Sequence, residues 1–287
     1  MCGITAIISK KSNNIIELLL DSIHQLENRG YDSTGIAYID DDIQIYKRAM
    51  LNNYNFYKFN SECKDIISNI GIAHTRWATH GGITDDNAHP HLSYNKLVCV
   101  IHNGIIENYD CIKRKLILKG IKFQSDTDTE VICNLLDYYI SLCSLNITEA
   151  IEKIIKKLQG TYGLVILYKD EPDRLYVVRN GSPILIGEND NNIMITSEIS
   201  GFVKQVNNYI CLENHDIAVI SRDGFNTVRN YEKREIKNDI CDTLTPDPYK
   251  YWMLKEIYEQ KYSILRSMNN GGRLKNDIIK LGGIDYL

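Results

Sequence analysis

The order of secondary-structure patterns is the feature that most constrains the fold of this chain. Short strand-like runs, most of them rich in Ile, recur over residues 4–101, helical periodicity covers most of residues 109–158, and short strand-like runs return after residue 160. The late strands are separated by a few Gly, Asn, Asp and Pro residues, which is too short for the crossovers that parallel strands need. We therefore predict an α+β fold in which mostly antiparallel sheets are covered by helices.

Hydrophobic spacing predicts the individual elements. We expect helices at residues 14–27, 62–69, 109–119, 127–142, 147–158 and 249–268, and strands at 4–8, 35–40, 43–48, 71–76, 97–102, 163–168, 175–179, 185–187, 193–196 and 216–221. Taken alone, Asn103-Gly104 is typical of a hairpin turn. A charged stretch near 233–248 marks a change in composition, so we expect one domain over residues 1–240 and a linker with a helical tail over 241–287.

Charge and cysteine usage exclude several classes of function. The net charge is −4 with no long run of one sign, so we expect no nucleic-acid or membrane partner. The apolar runs are too short to span a bilayer, and no signal peptide opens the sequence, which predicts a cytoplasmic protein. Eight scattered cysteines without a C-x-x-C pair indicate reduced thiols rather than disulfides or a zinc site. We expect neither a metal nor a cofactor.

The N-terminal tripeptide Met1-Cys2-Gly3 offers an unusual nucleophile. If an aminopeptidase removes Met1, Cys2 carries both a thiol and a free α-amine. Such an amine titrates near pH 7.7–8.0 and can accept the thiol proton without a histidine. By itself the tripeptide would fit an ordinary cysteine near a frayed end, so the argument depends on the rest of the chain.

Unusual polar residues gather at the predicted strand ends. They occupy residues 29–35, 74–81 with 87–91, 102–108, and 125–130 at a helix start. The guanidinium of Arg76 suits a carboxylate, Asp128 or Asp126 could accept from an ammonium group, and Asn103 with the Gly104 N–H could form an oxyanion hole. Together these groups describe recognition of a free amino acid whose side chain carries a carbonyl, as glutamine does.

Simpler readings exist for each segment. Residues 126–130 alone are typical of a helix cap. The histidines between positions 74 and 102 could suggest a metal site, but they lack acidic or cysteine partners at standard spacing.

Taken together, the segments resemble one family, the class II N-terminal-nucleophile glutaminase domain of glutamine–fructose-6-phosphate aminotransferases. The matching residues are Met1-Cys2-Gly3-Ile4, Arg29-Gly30-Tyr31-Asp32-Ser33, Gly71-Ile72-Ala73-His74-Thr75-Arg76-Trp77-Ala78-Thr79-His80-Gly81, Asn87-Ala88-His89-Pro90-His91, His102-Asn103-Gly104-Ile105-Ile106-Glu107-Asn108, Thr127-Asp128-Thr129-Glu130, Arg179-Asn180-Gly181-Ser182-Pro183 and Lys255-Glu256-Ile257-Tyr258-Glu259-Gln260. They follow the family order over residues 1–260.

The resemblance implies a four-layer αββα sandwich and a role for each site residue. Cys2 would be the nucleophile and its amine the base. The implied oxyanion hole is Asn103 and Gly104, the implied support for the Cys2 end is Arg29 and Gly30, the implied glutamine-binding residues are Arg76, Thr79, His80 and Asp128, and the implied gate is Trp77.

The implied function is glutamine hydrolysis that supplies nitrogen for converting fructose 6-phosphate to glucosamine 6-phosphate. The family continues into a fructose-6-phosphate-binding isomerase half that this sequence does not contain. We expect that half to act in cis or in trans, as part of a longer protein or as a separate polypeptide, and a homo-oligomer could form through it. Two alternatives stay open: a non-catalytic glutamine-sensing module, and a glutaminase for a different acceptor domain.

Overall fold

The structure is a computed structural model, and it describes residues 2–52, 54–236, 248–250, 252–267, 274–275 and 278–279. The chain divides into two compact units, Met1–Cys241 and Asp242–Leu287.

The first unit contains five of the described helices and most of the described strands. The helices are α1 (Ile16–His24), α2 (Phe56–Cys63), α3 (Tyr109–Ile117), α4 (Thr129–Ser141) and α5 (Ile147–Ile155), with short 3-10 turns at Glu27–Arg29 and Ile199–Phe202. The strands are β1 (Gly3–Ser9), β2 (Ser33–Asp40), β3 (Asp42–Ala49), β4 (Ile70–Arg76), β5 (His91–Leu92), β6 (Val98–Ile106), β7 (Gly160–Tyr168), β8 (Leu175–Asn180), β9 (Leu185–Glu188), β10 (Asn192–Thr196), β11 (Asn208–Cys211), β12 (Ile217–Ser221), β13 (Gly224–Thr227) and β14 (Arg234–Glu235).

These strands form two sheets. The first has the order β14-β11-β9-β10-β1-β4-β2-β3, and the second has the order β13-β12-β8-β7-β6-β5. Every strand pair in both sheets is antiparallel. The predicted α+β class with antiparallel sheets is thereby confirmed.

Three buried cores show how the layers stack. Alternate residues of β1 face opposite sides: Ile4, Ala6 and Ile8 pack between the two sheets, while Ile7 packs against α1. In β6 the same alternation sends Val98 and Val100 toward α3, α4 and α5. Since both sheets bury both faces, the first unit is the four-layer αββα sandwich that the family resemblance implies.

The second helix lies earlier than predicted. The sequence pattern suggested residues 62–69, but α2 spans Phe56–Cys63. The Asn55 side chain caps it by accepting from the Lys58 N–H at 3.1 Å, and Phe56, Phe59 and Cys63 form its buried face. The predicted bounds were wrong because the apolar residues 66 and 67 follow α2 and are not part of it.

The strand after residue 97 is longer than predicted. Instead of turning at Asn103-Gly104, β6 continues to Ile106 and pairs with β7, where Asn103 is opposite Gly163 and Gly104 opposite Tyr162. The hairpin interpretation of this dipeptide is therefore wrong. The short strands β5, β11, β13 and β14 were also not predicted.

The second unit contains the helix α6 (Trp252–Ser267) and the two-stranded antiparallel pair β15 (Leu274–Lys275) and β16 (Ile278–Ile279). The helix agrees with the prediction for residues 249–268. Most of the charged stretch at 233–248 lies outside the described residues, as does Met1. Among the helices that the structure describes, none has both the length and the apolarity needed to cross a membrane.

Candidate active site

Cys2 lies at the start of β1, directly beside the end of β4. Gly3 is paired with Thr75, and its N–H donates to the Thr75 hydroxyl at 3.1 Å. A Cβ on Gly3 would come within 2.6 Å of the Leu26 Cβ and of that hydroxyl, so only glycine fits without displacing them. The strand therefore enters a crowded position that holds the Cys2 backbone in place.

The Cys2 thiol contacts the backbone of Trp77. The Trp77 N–H donates to Sγ at 3.2 Å, and Sγ lies 3.7 Å from the Trp77 carbonyl oxygen. Burial raises the pKa of the Cys2 thiol above its ordinary value, although the Trp77 hydrogen bond and the charges of Arg76 and Arg29 act in the opposite direction. The thiol is therefore protonated at neutral pH, so it needs a base before it can act as a nucleophile.

Asn103 contacts Cys2 from the second sheet. Its Nδ2 donates to the Cys2 carbonyl at 2.8 Å, and its Oδ1 lies 3.0 Å from Nε2 of His74. The neighbouring Gly104 has φ +132°, and a Cβ there would lie 2.0 Å from the Thr161 carbonyl oxygen. Only glycine therefore fits where β6 passes Thr161. Without a side chain, the Gly104 backbone is exposed to the pocket that Cys2 also lines.

The buried guanidinium of Arg76 organises the loop that follows β4. It donates to the carbonyl of Gly82 at 3.1 Å, to the carbonyl of Gly81 at 3.4 Å and to the carbonyl of His80. Those bonds curl residues 80–82 around the charged group. The same side chain lines the pocket beside Cys2, where a positive charge can attract a carboxylate.

Asp128, at the start of α4, lines the same pocket. Its carboxylate accepts from the Ile106 N–H at 2.8 Å and lies 4.0 Å from Nδ1 of His102. Asp126 is exposed instead, and its N–H donates to Asn87 at 2.9 Å. Of the two aspartates considered from the sequence, Asp128 is the one that lines the pocket.

The structure brings the predicted site residues together around Cys2. One pocket is lined by Cys2, Arg76, Trp77, Thr79, His80, Gly104 and Asp128. An adjoining pocket shares Cys2, Trp77, Thr79 and Gly104, and adds Arg29 and Asn103 together with Ile105, Thr161, Ser182 and Pro183.

Three further features surround Trp77 and Arg29 at the edge of these pockets: a backbone contact, an ion pair and an aromatic pair. A Cβ on Gly30 would lie 2.8 Å from the Trp77 nitrogen, so Gly30 packs directly behind the residue that binds the thiol. Arg29 forms an ion pair with Glu198. The Trp77 ring is 46% exposed and lies 5.6 Å from the Tyr31 ring, centroid to centroid.

Sequence reasoning assigned no role to the buried histidines of the site, although His89 and His102 line the first pocket, as do Thr127 and Thr129. His89 stacks on His74 with ring centroids 4.2 Å apart, and His91 contacts His89 edge-on at 4.8 Å. Burial lowers the pKa of His74 to about 3 and the pKa values of His89 and His91 well below the ordinary value. These rings are therefore neutral at physiological pH. In the part of the chain that the structure describes, no group of three His, Cys, Asp or Glu side chains could hold a metal ion.

Comparison with known proteins identifies the family. A glutamine amidotransferase domain model matches residues 74–204. The glutamine–fructose-6-phosphate aminotransferase of Fusobacterium nucleatum is 39% identical over 94% of this chain and 44% of its own length. The enzymes of the same name from Buchnera aphidicola and Methanococcus maripaludis are 40% and 39% identical over 94% and 93% of this chain, and 45% and 46% of their own lengths. This chain therefore spans about half the length of these relatives.

Solved structures give the same fold. The glutamine phosphoribosylpyrophosphate amidotransferase of B. subtilis superposes with a TM-score of 0.67 and 23% identity, over 79% of this chain and 49% of that one. A glutamine aminotransferase class-II domain protein from Silicibacter pomeroyi superposes with a TM-score of 0.51 and 16% identity, over 82% of this chain and 100% of that one.

The chain carries a glutamine amidotransferase domain, matched over residues 74–204, and shares its fold with solved amidotransferase structures. The sequence corresponds to the glutaminase domain of the relatives named glutamine–fructose-6-phosphate aminotransferase.

Proposed function

We propose that this chain hydrolyses glutamine to glutamate and ammonia with the Cys2 thiol as nucleophile. The observation that carries the proposal is that a backbone N–H, a side-chain amide and two oppositely charged groups are gathered around one cysteine. Trp77 and Asn103 contact Cys2, while Arg76 and Asp128 line the same pocket.

The reaction begins with transfer of the thiol proton. After removal of Met1, which lies outside the described residues, the α-amine of Cys2 accepts that proton, and the sulfur attacks the side-chain carbonyl carbon of glutamine. The second N–H of the Asn103 amide and the Gly104 N–H stabilise the negative oxygen of the tetrahedral intermediate. The C–N bond then breaks, ammonia leaves with a proton from the α-ammonium, and water hydrolyses the remaining thioester.

The charged groups of the pocket match the head group of a free amino acid. A free amino acid carries one carboxylate and one ammonium, and the pocket offers a buried guanidinium at Arg76 and a buried carboxylate at Asp128. Thr79, His80 and Trp77 line the same pocket, and we assign the first two to glutamine binding and Trp77 to gating. This charge pattern favours a zwitterion with an uncharged side-chain carbonyl directed at Cys2.

The acceptor of the ammonia is proposed from the relatives. Those proteins are named for fructose 6-phosphate, and we place the sugar site in their remaining half, which would act in cis or in trans.

We propose residues 1–240 as the glutaminase domain and 241–287 as the linker and tail; the division of the chain between Cys241 and Asp242 supports this boundary. We propose the cytoplasm as its location, since the seven described cysteines are free thiols.

The test combines intact mass with glutamate release from purified chain. We expect loss of one methionine mass and glutamine-dependent glutamate release that Cys2→Ala abolishes. Cys111→Ala is the matched control, because that thiol is exposed on α3 and should leave release unchanged. Glucosamine 6-phosphate should form from fructose 6-phosphate only when the isomerase half is supplied.

Three outcomes would contradict parts of the proposal. Processed chain that binds glutamine without releasing glutamate, alone or with the isomerase half, would favour the sensing module. Release that survives Cys2→Ala would place the chemistry on another residue. Release that is coupled to an acceptor other than fructose 6-phosphate would favour the different-acceptor alternative.

A further inference from the structure

We infer that His74 is a positioning residue that fixes the orientation of the Asn103 amide, so that its N–H₂ group rather than its oxygen faces Cys2. This inference rests on the proposed function, because it concerns the oxyanion hole of that reaction. His74 itself does not line the pocket, so it acts only through Asn103.

The proton on the His74 ring can be located from its neighbours. The ring is fully buried in β4, and Nε2 lies 3.0 Å from the carbonyl oxygen of His102. A carbonyl oxygen only accepts hydrogen bonds, so Nε2 must carry the proton. Nδ1 has no hydrogen-bond partner among the described residues, and burial keeps the ring neutral by lowering its pKa to about 3.

That proton determines which way the neighbouring amide points. Nε2 also lies 3.0 Å from an Asn103 side-chain atom, and a donor N–H requires an acceptor there, which is Oδ1. The N–H₂ group must then lie on the other side, where it donates to the Cys2 carbonyl at 2.8 Å. The His102 carbonyl fixes the proton on Nε2, which requires Oδ1 of Asn103 to face His74. The Cys2 carbonyl requires Nδ2 of Asn103 to face Cys2, so both carbonyls favour the same amide orientation.

The ring that makes this contact is held by stacking. His89 lies against its face with centroids 4.2 Å apart and an angle of 24° between the planes. Because Asn103 is 7% exposed, an Oδ1 without a donor would be left buried and unpaired, which favours tilting or flipping of the amide. A flipped amide would present its oxygen to the developing oxyanion and repel it.

Variants of His74 test the inference in processed, full-length chain. His74→Gln keeps an N–H near the Nε2 position, while His74→Met has similar bulk without a donor. We expect His74→Met to lower kcat about 10–100-fold with the KM for glutamine changed less than about 3-fold, and His74→Gln to recover most of kcat. Alkylation of Cys2 by iodoacetamide needs no oxyanion hole and should keep its wild-type rate.

A double-variant cycle separates positioning from a merely structural role. If His74 acts through Asn103, adding His74→Met to Asn103→Ala should cost less than about 3-fold further in kcat. A full repeat of the His74→Met loss in that background, or wild-type kcat in His74→Met itself, would overturn the inference. If His74→Met does not fold, His74→Asn replaces it. The shorter Asn amide reaches only the Nδ1 position and leaves Asn103 Oδ1 without a donor, so we expect the same loss of kcat. Wild-type chain without Cys2-dependent release would instead contradict the proposed function.

Discussion

Acidification should destabilise this protein steeply, because several of its histidines are buried in the neutral form. An unfolded histidine has a pKa near 6.5, whereas the pKa of His74 in the folded chain is about 3. Between those values the unfolded state binds the proton and the folded state does not. The stabilisation is therefore present above pH 6.5 and is lost as the pH falls toward 3.

The size of the effect follows from the two pKa values. At pH 5 the unfolded chain carries nearly one more proton at His74, which lowers the unfolding free energy by about 2 kcal/mol relative to neutral pH. His89 and His91 are shifted in the same direction by burial and add to the same slope.

The assay is urea unfolding followed by circular dichroism between pH 7 and pH 5. The slope of unfolding free energy against pH gives the number of protons taken up on unfolding, and we expect more than one. His91→Gln, whose Nε2 can keep the 3.0 Å contact to the Thr127 hydroxyl, should reduce that number by nearly one. His215→Asn is the control, since His215 is exposed. A slope below one proton, or an equal effect of both variants, would refute the reasoning.

Three further predictions concern single side chains. Gly104→Ala should destabilise the fold by about 2–3 kcal/mol and reduce glutamate release, because its Cβ would lie 2.0 Å from the Thr161 carbonyl oxygen; thermal melts and initial rates check this. Arg76→Lys should raise the KM for glutamine about 10–100-fold, since an ammonium group cannot reproduce the guanidinium contacts; an unchanged KM would contradict it. Asn146→Ala breaks the capping box with Glu149 and should cost about 1 kcal/mol, seen as a Tm drop of about 2–4 °C, with glutamate release unchanged.

The sequence predicts the layered fold and the gathering of the site well, for identifiable reasons. Nearly continuous apolar runs mark β1 and β6, whose residues are buried on both faces, and the polar segments follow strands whose ends meet in the sandwich. The role of His74 could not be predicted, because it depends on a ring from β4 meeting an amide from β6, and those strands belong to different sheets. The extension of β6 through Asn103-Gly104 was missed for a related reason, since pairing with β7 overrides the local preference for a turn.

Cys2 lies where the two sheets meet, and each sheet holds a different group of this residue. The thiol receives its hydrogen bond from Trp77, just past the end of β4 in the first sheet. The carbonyl of the same residue receives its hydrogen bond from Asn103, in β6 of the second sheet. Because the layer between the sheets is packed with buried aliphatic side chains, the sheets cannot slide without disturbing that packing. The core of the sandwich therefore sets the distance between the Cys2 sulfur and the Asn103 amide, and the contact with His74 orients that amide.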